Sequence, residues 1–405
     1  MACCRPCGQP RRRSTSASPR PWRRRAGMSA DTCLIVSLSA RALAAAAARA
    51  GVASIGIDAF ADLDARRLGR RWARVPLGPD YSFDRESLLR TADDLAPDAR
   101  ELVYGSGFEA RPELLARLAE GRELLGNDPE TVAACADPAR FSVLLDELGI
   151  PHPETRLEPP PAAAGWLAKL AGGCGGSHIL PATATGGRRY PGRYYQRRVA
   201  GRPGSLLFLA DRRDVRPVGF NGALAAPAEA PSAWSYAGSV RLPDCPGGFG
   251  TAIVAAAADL TRTLGLRGLN GIDFIIGETG WWLLELNPRP TASLSLWDVS
   301  PLPPLFRLHR EACRGHLPDS LPQPAGALAS AVVYARRPAR VPNRFSWPDA
   351  CADLPNPGTV VAAGDPLCCV AAAGADAGAA SAAAQSMRAA LLDRFDTLAT
   401  PVGVC

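Results

Sequence analysis

Lys169 is the only lysine among the 46 basic residues of this 405-residue chain. It stands just ahead of Gly172-Gly173-Cys174-Gly175-Gly176-Ser177, with four glycines in five positions. Glycines let a backbone come close to a ligand and expose its N–H groups, which is what a phosphate requires. A lysine beside them adds a compact positive charge for the same anion. The arrangement is not a Walker A loop, because the lysine precedes the glycines and strands, not a helix, flank them. A glycine-rich hairpin can equally be a plain flexible turn, so the loop alone does not decide.

A second set lies in Gly271-Ile272-Asp273-Phe274-Ile275 followed by Leu283-Leu284-Glu285-Leu286-Asn287-Pro288-Arg289. Alternate residues of a strand share a face, so Glu285 and Asn287 are expected to project together while Leu284 and Leu286 face the core. Asp273, on the partner strand, can meet them. Two carboxylates and an amide are oxygen donors suited to magnesium, which keeps waters and phosphate oxygens as its other ligands. Arg289 follows on the same face and could grip a transferring phosphoryl group through its planar fork. The alternative is a solvated polar face on a hairpin, and the apolar runs around these residues argue against it, since an unpaired carboxylate there is costly. A third, weaker feature is Tyr194-Tyr195-Gln196-Arg197-Arg198-Val199-Ala200-Gly201, a strand running into an extended segment that offers backbone groups for an adenine edge. Its arginines could equally be surface charge.

The elements that must carry these residues follow from pattern. Cys33-Leu34-Ile35-Val36-Ser37-Leu38 reads as a buried strand, 40–50 as an alanine-rich helix and Ser54–Ile57 as a second strand before a turn at Asp58–Asp64: a β-α-β opening. A third strand at Glu101–Tyr104 runs into Gly105-Ser106-Gly107 and a helix from Pro112. No GxGxxG follows the first strand, so a dinucleotide fingerprint is absent. Helices are expected from Asp128-Pro129-Glu130 and from Asp137-Pro138 through Leu148, then a linker at 157–165. Strand, glycine loop and strand follow over 166–180, the last strand being His178-Ile179-Leu180. Further strands are expected at 193–210 and 215–220, a helix at 251–264, and a hairpin of 271–276 with 281–286. One more helix comes after Pro301, and short strands at 330–335, 359–362 and 367–372 occupy a Pro/Gly-rich C-terminal region.

Composition narrows the function. With 47% hydrophobic and 21% charged residues the chain can bury real cores and is long enough to be an enzyme. No stretch approaches the ~20 apolar residues that cross a bilayer, so no membrane partner is expected and the cytoplasm is the expected location. The net charge of +7 is concentrated in residues 1–27, which hold eight arginines and no acid. The remainder is near neutral, which argues against nucleic acid as a partner. The basic arm is expected to be disordered or the product of an upstream start codon, with Met28 the true beginning, and it lacks the apolar segment of a secretory signal. Of the twelve cysteines, Cys4 and Cys7 form one CxxC that no second pair answers. His309, Cys313 and His316 share a helical face, a spacing read here as packing rather than a metal site. Reduced thiols in a cytosolic protein are the expectation. Arginine has otherwise displaced lysine, as codon bias would produce, so a position still held by lysine is informative.

In the order lysine and glycine loop, hinge, then Asp … Glu-x-Asn-Pro-Arg, the chain resembles the ATP-grasp superfamily over about residues 100–300, most strongly at GIDFI and LLELNPR. The resemblance implies an α/β (α+β) ATP-grasp fold preceded by a small βαβ domain and followed by a small β-rich region. It implies a basic arm over 1–28, a pre-ATP-grasp domain over 29–128, the ATP-grasp domain over 129–320 and the C-terminal region over 321–405. Lys169 then matches the lysine on the ATP phosphates. Gly172, Gly173, Gly175, Gly176 and Ser177 match the lid, and Gln196 and Val199 the adenine hinge. Asp273, Glu285 and Asn287 match the ligands of Mg2+, and Arg289 the arginine after them, so Lys169 and Arg289 are the catalytic candidates. Many members carry a second lysine before the loop. Here Asp137-Pro138-Ala139-Arg140 stands in that place, and Arg140 is the candidate for the role.

Within the superfamily the chain looks most like carboxylate-amine ligases related to tyramine-glutamate ligase and a bacterial group found with one-carbon cofactor genes, on YGSGFE, LLGN and YYQRRVAG with SLLFLA. That implies a ligase joining a small-molecule carboxylate to an amine through an acyl phosphate formed from Mg-ATP, with a homodimer as an open assembly. A carboxylase-type or purine-pathway enzyme, a kinase-like member and a non-catalytic ATP-binding regulator are the alternatives.

Overall fold

The apolar quartet Cys33–Val36 is fully buried and sits at the centre of a five-stranded sheet in a computed structural model that describes residues 32–78 and 82–402. The basic arm and its Cys4/Cys7 pair lie outside the described residues. The strand order is Arg71–Arg74, Ser54–Asp58, Cys33–Val36, Glu101–Tyr104, Glu123–Leu125, all parallel. The expected β-α-β opening and third strand are present, with the helix at Arg41–Arg49. Asp58 ends its strand by accepting hydrogen bonds from the Phe60 and Ala61 amides at 3.0 and 2.6 Å, which makes the expected turn. The two edge strands carry no apolar alternation, Arg71–Arg74 being exposed at both ends, and pattern reading had no signal for them.

An eight-stranded sheet forms the centre of the molecule. Its strands run Trp281–Asn287, Arg267–Ile276, Arg202–Asp211, Val215–Ala223, Gly238–Arg241, Ala327–Tyr334, Pro366–Gly374, Cys351–Ala352. Strand Arg202–Asp211 is covered on both faces, which explains its continuous apolar run. Leu206, Phe208 and Ala210 pack with helix Gly250–Leu264 through Ile253, Ala257 and Leu260. Leu207 and Leu209 point the other way, against Trp297, Phe306 and the alanine-rich face of Arg41–Arg49. The N-terminal domain is therefore anchored to the central sheet through a shared core. The region from 321 continues this sheet, and helix Ala377–Leu398 covers its last strands through Leu391, Leu392 and Phe395. That helix was not foreseen: it is built mainly of alanine, and its few large apolar residues make no clear stripe.

A separate four-stranded antiparallel sheet stands over one edge, in the order Thr155–Arg156, Arg193–Arg197, Trp166–Leu170, Leu180–Pro181. Its core is small: Trp166, Ala168, Ala182 and Tyr195. Two strand expectations need correction. The segment 193–210 is two strands broken at 198–201, where Gly201 takes φ +150°. His178 and Ile179 are not in a strand, because Gly175 and Gly176 at φ +71° and +75° carry the loop out of extended geometry and pairing resumes only at Leu180. Among the described residues no helix is long and apolar enough to cross a membrane.

Candidate active site

The small sheet and the central sheet face each other across a cleft enclosing about 870 Å³, part of it open to solvent. Its walls are the glycine loop, the hairpin strand Trp281–Asn287 with its following turn, the helix Pro138–Glu147 and Glu109 of the N-terminal domain.

Lys169 and Gln196 lie on the same face of paired strands, Lys169 opposite Tyr194 and Leu167 opposite Gln196. The Lys169 ammonium donates to Gln196 Oε1 at 2.6 Å, and both side chains are almost fully buried, at 5% and 6% exposure. Gln196 lines the cleft and the ammonium sits behind it. Burial pulls the lysine pKa down, opposed by the charges of Glu285 and Asp273. Val199 lies half-buried in the connector after the strand and is not among the residues lining the cleft.

Gly172, Gly173 and Gly175 line the cleft, while Gly176 and Ser177 are not among its lining residues. Gly172 and Gly176 are needed for close approach. A Cβ on Gly172, at φ +70°, would fall 2.7 Å from the Ala110 nitrogen, and one on Gly176 would meet the Trp234 carbonyl. Tyr236 donates its amide to the Gly175 carbonyl at 2.9 Å. The loop is thus docked on the N-terminal domain at one end and on segment 232–236 at the other. Cys174, beside Glu109, has its thiol pushed up to about 11, chiefly by burial.

Across the cleft Asp273 and Glu285 are direct partners in the antiparallel ladder, and Asn287 faces Gly271. The Asn287 amide nitrogen donates to Asp273 Oδ2 at 3.1 Å and to Glu285 Oε1 at 3.2 Å, so the three groups converge. Burial and the neighbouring Glu285 raise Asp273 well above the usual carboxylate range. Glu285 opens to solvent inside the cleft; burial alone would raise its pKa, but the bond with Asp273, the Lys169 charge and Asn287 together bring it down. Two carboxylates this close disfavour full ionisation unless a cation joins them, and hard oxygen donors are what Mg2+ takes. The donor set therefore fits magnesium completed by phosphate and water, although among the described residues no group of three His, Cys, Asp or Glu could hold a metal alone. One expectation for this strand fails: Leu284 is half-buried at the cleft and outside the core, where Leu283, at 0% exposure, joins Leu286. A bulge between Asp273 and Phe274 inserts Leu284 as an extra residue and shifts the alternation by one.

Arg289 is held at both ends. Its Nε donates to Glu109 Oε1 at 2.5 Å and its Nη2 to Asn287 Oδ1 at 2.9 Å. Glu109 in turn accepts from the Gly107 and Phe108 amides at 2.8 and 3.0 Å. Sequence reasoning missed Glu109. Its signal was an acid two residues past the Gly105-Ser106-Gly107 turn that follows a parallel strand, a usual place for ligand-facing groups. Also missed were Tyr104 and Asn127, whose side chains donate to the Pro288 carbonyl at 2.9 and 2.8 Å and fix the turn before Arg289. Arg140 is not brought to the set. It is exposed on the first turn of its helix, and Pro138, Phe141, Ser142 and Leu145 line the cleft instead. His309 is a core residue: Nδ1 accepts from the Leu269 amide at 2.8 Å and Nε2 lies 3.0 Å from the Leu125 carbonyl.

Residues 135–293 match the family model described as "ATP-grasp domain". This stretch is an ATP-grasp domain. The glycine loop, Gln196 and the hairpin that carries Asp273, Glu285 and Asn287 all fall within it. Among solved structures, the chain is similar to the biotin carboxylase domain dimer of the Hydrogenobacter thermophilus 2-oxoglutarate carboxylase, solved with MgADP, ADP and bicarbonate. The TM-score is 0.66 at 12% identity, over 93% of this chain and 91% of that one. It is also similar to Campylobacter jejuni biotin carboxylase in its beta-gamma-ATP complex, with TM-score 0.64 and 13% identity over 91% and 92% of the two chains. At these identities the likeness is one of fold, and it fixes the class: an α/β ATP-grasp fold preceded by a small parallel-sheet domain. No curated protein sequence matches the chain.

Proposed function

We propose that the protein is an ATP-dependent carboxylate-amine ligase that works on Mg-ATP. The observation that carries this is the meeting, inside the ATP-grasp domain, of the paired carboxylates Asp273 and Glu285 with Asn287 and Arg289 across a cleft from Lys169 and the glycine loop. Asp273, Glu285 and Asn287 would hold Mg2+, which supplies charge neutralisation at the phosphates. Lys169 and Arg289 neutralise and position the transferring phosphoryl group, Gly172, Gly173 and Gly175 close over it, and Gln196 borders the adenine. A substrate carboxylate attacks the γ-phosphorus, its bond to the β–γ bridging oxygen breaks and ADP leaves. An amine then displaces phosphate from the acyl phosphate and loses a proton. Placement and exclusion of water by the lid are the protein's main contributions.

The finer reading is that the substrates are precursors of a one-carbon cofactor, the enzyme is cytoplasmic and a homodimer, and its domains divide near 128 and 320. The resemblance at YGSGFE and YYQRRVAG supports the first of these and the dimeric neighbour the assembly. A second reading, carboxylase-type chemistry, draws on the bicarbonate named with that same neighbour. ADP release would be measured against a panel of carboxylates, amines and one-carbon cofactor precursors, each with and without bicarbonate. Release that needs an acid and an amine together supports the ligase. Release that needs bicarbonate and no amine moves the protein to the second reading.

A further inference from the structure

His178 follows the glycine loop, and nothing in the functional reading so far uses it. Its ring lines the cleft, and its Nδ1 is shut off from water with no hydrogen-bond partner. A buried polar atom left unpaired costs free energy, so an orphan on a side chain that lines a ligand cleft points to a partner that arrives with the ligand and is met when the ring turns to present the atom. The local sequence makes room for the ring at a specific position. A Cβ on Gly173 would fall 2.8 Å from three ring atoms, so only glycine there lets the imidazole fold under the loop. Burial pulls the ring's pKa down, Glu285 raises it, Lys169 lowers it and the Cys174 backbone raises it, so the imidazole is held neutral with one ring N–H to donate.

The other basic groups of the cleft wall are engaged. Arg289 is bonded to Glu109 and Asn287, and His152 has its ring nitrogens on Asp146 and the Pro153 carbonyl. Arg140 is not part of the wall. We propose that His178 is a phosphate ligand of the nucleotide, donating from Nδ1 to the β- or γ-phosphate and so supplying the second basic contact that Arg140 does not. This rests on the Mg-ATP reading of the cleft. With a phosphate oxygen opposite it, Nδ1 carries the hydrogen, and the ring closes onto the nucleotide together with the glycine loop.

The test compares Mg-ATP and AMP, which lacks the β- and γ-phosphates, by titration calorimetry on wild type, His178→Ala, His178→Asn and His178→Gln. The Asn amide nitrogen falls near the position of Nδ1, and that of Gln near Nε2. Expected are a loss of ~10-fold or more in ATP affinity for His178→Ala, the size of one bond to a charged group, AMP binding within twofold of wild type, and recovery by Asn more than by Gln. Gly173→Ala, which displaces the ring without removing it, should reproduce the ATP-selective loss and serves if the His178 variants fold poorly. ATP binding unchanged in His178→Ala overturns the proposal. So does an equal loss for ATP and AMP, which would mean that the ring only packs the lid, and so does recovery by Gln instead of Asn. Failure of the wild type to bind ATP at all would instead sink the Mg-ATP reading on which this rests.

Discussion

Replacing Lys169 with methionine separates function from stability at one residue. In the structure the ammonium has Gln196 Oε1 at 2.6 Å and two carboxylates in electrostatic range, yet its pKa is pulled down because burial outweighs them. The net sign means that the empty site disfavours the charge it holds. Removing the charge therefore costs the fold little more than the bond to Gln196, about 1.5–3 kcal/mol with its buried oxygen left unpaired. With Mg-ATP bound, the ammonium exchanges Gln196 for phosphate oxygens, and losing a charge-assisted bond of about 1.5–3 kcal/mol weakens binding roughly 10- to 150-fold. If the contact tightens in the transition state, turnover falls further, by about 10²–10³, as when one oxyanion donor is removed. Calorimetric titration with Mg-ATP and a thermal melt of the same samples read both quantities. Affinity within twofold of wild type refutes the assignment of Lys169 to the phosphates. A large fall in melting temperature refutes the argument about burial.

Asp273→Asn should raise the melting temperature of the ligand-free protein by relieving its pairing with Glu285, and should abolish the extra stabilisation that Mg2+ adds to ATP; melts with ATP alone and with Mg-ATP test this. Glu109→Gln leaves the Arg289 guanidinium, 12% exposed, without its countercharge and should cost about 3 kcal/mol in urea unfolding. His309 has its pKa lowered to about 4 by burial, against 6.5 for a free imidazole, so the unfolded chain takes up the proton first. Its contribution is complete above pH 6.5 and is lost as the pH falls to 4, about 3 kcal/mol in all, and His309→Gln should flatten that part of the profile. Asp62, 7% exposed and surrounded by Asp353, Asp58 and Asp64, is raised by burial to about 8 from 3.8. Here the folded state holds the proton longer, so stability falls as pH rises from 4 to 8, and the gain in stability from Asp62→Asn should grow over that interval in unfolding curves at pH 5 and pH 8.

The parts of this molecule legible in the sequence are those with local chemistry or local period. Asp273, Glu285 and Asn287 alternate between apolar residues on two strands, and the ladder pairs them as the alternation requires, except where the bulge moves Leu284 to the cleft. The glycine loop announced itself by composition. What the sequence could not show were contacts made at long range. Glu109 gains its meaning only from Arg289, 180 positions away, and Asn127 only from Pro288 and Asn270. Arg140 was assigned by its place in a motif, but it is exposed and does not line the cleft, where Pro138 and Phe141 of the same helix stand instead. His178 read as a strand residue because Ile179 and Leu180 follow it; the left-handed glycines before it, which only three-dimensional packing explains, put it in the cleft.

The two halves of the cleft are held with unequal strength, and that asymmetry bears on how such a site would work. On the side of the paired carboxylates, Tyr104 and Asn127 of the N-terminal domain both donate to the Pro288 carbonyl, Asn127 also bonds Asn270 at 2.7 Å, and Glu109 clamps Arg289. A shared core of Leu43, Ala44, Leu207, Leu209 and Trp297 lies beneath them. This side cannot move without breaking buried polar bonds and apolar packing together. The small sheet has only four buried apolar side chains of its own and meets the rest of the molecule at the cleft through glycine backbone: Gly172 on Ala110, and Gly175 and Gly176 on segment 232–236. Contacts made by glycines bury little apolar surface and fix no side-chain rotamers, so opening them costs far less than opening the opposite wall. Opening of this cleft is therefore expected on the side that carries Lys169 and His178, with the carboxylates and Arg289 held in place. Nucleotide entry through such a cleft calls for one mobile wall, and exact placement of a metal calls for one rigid wall.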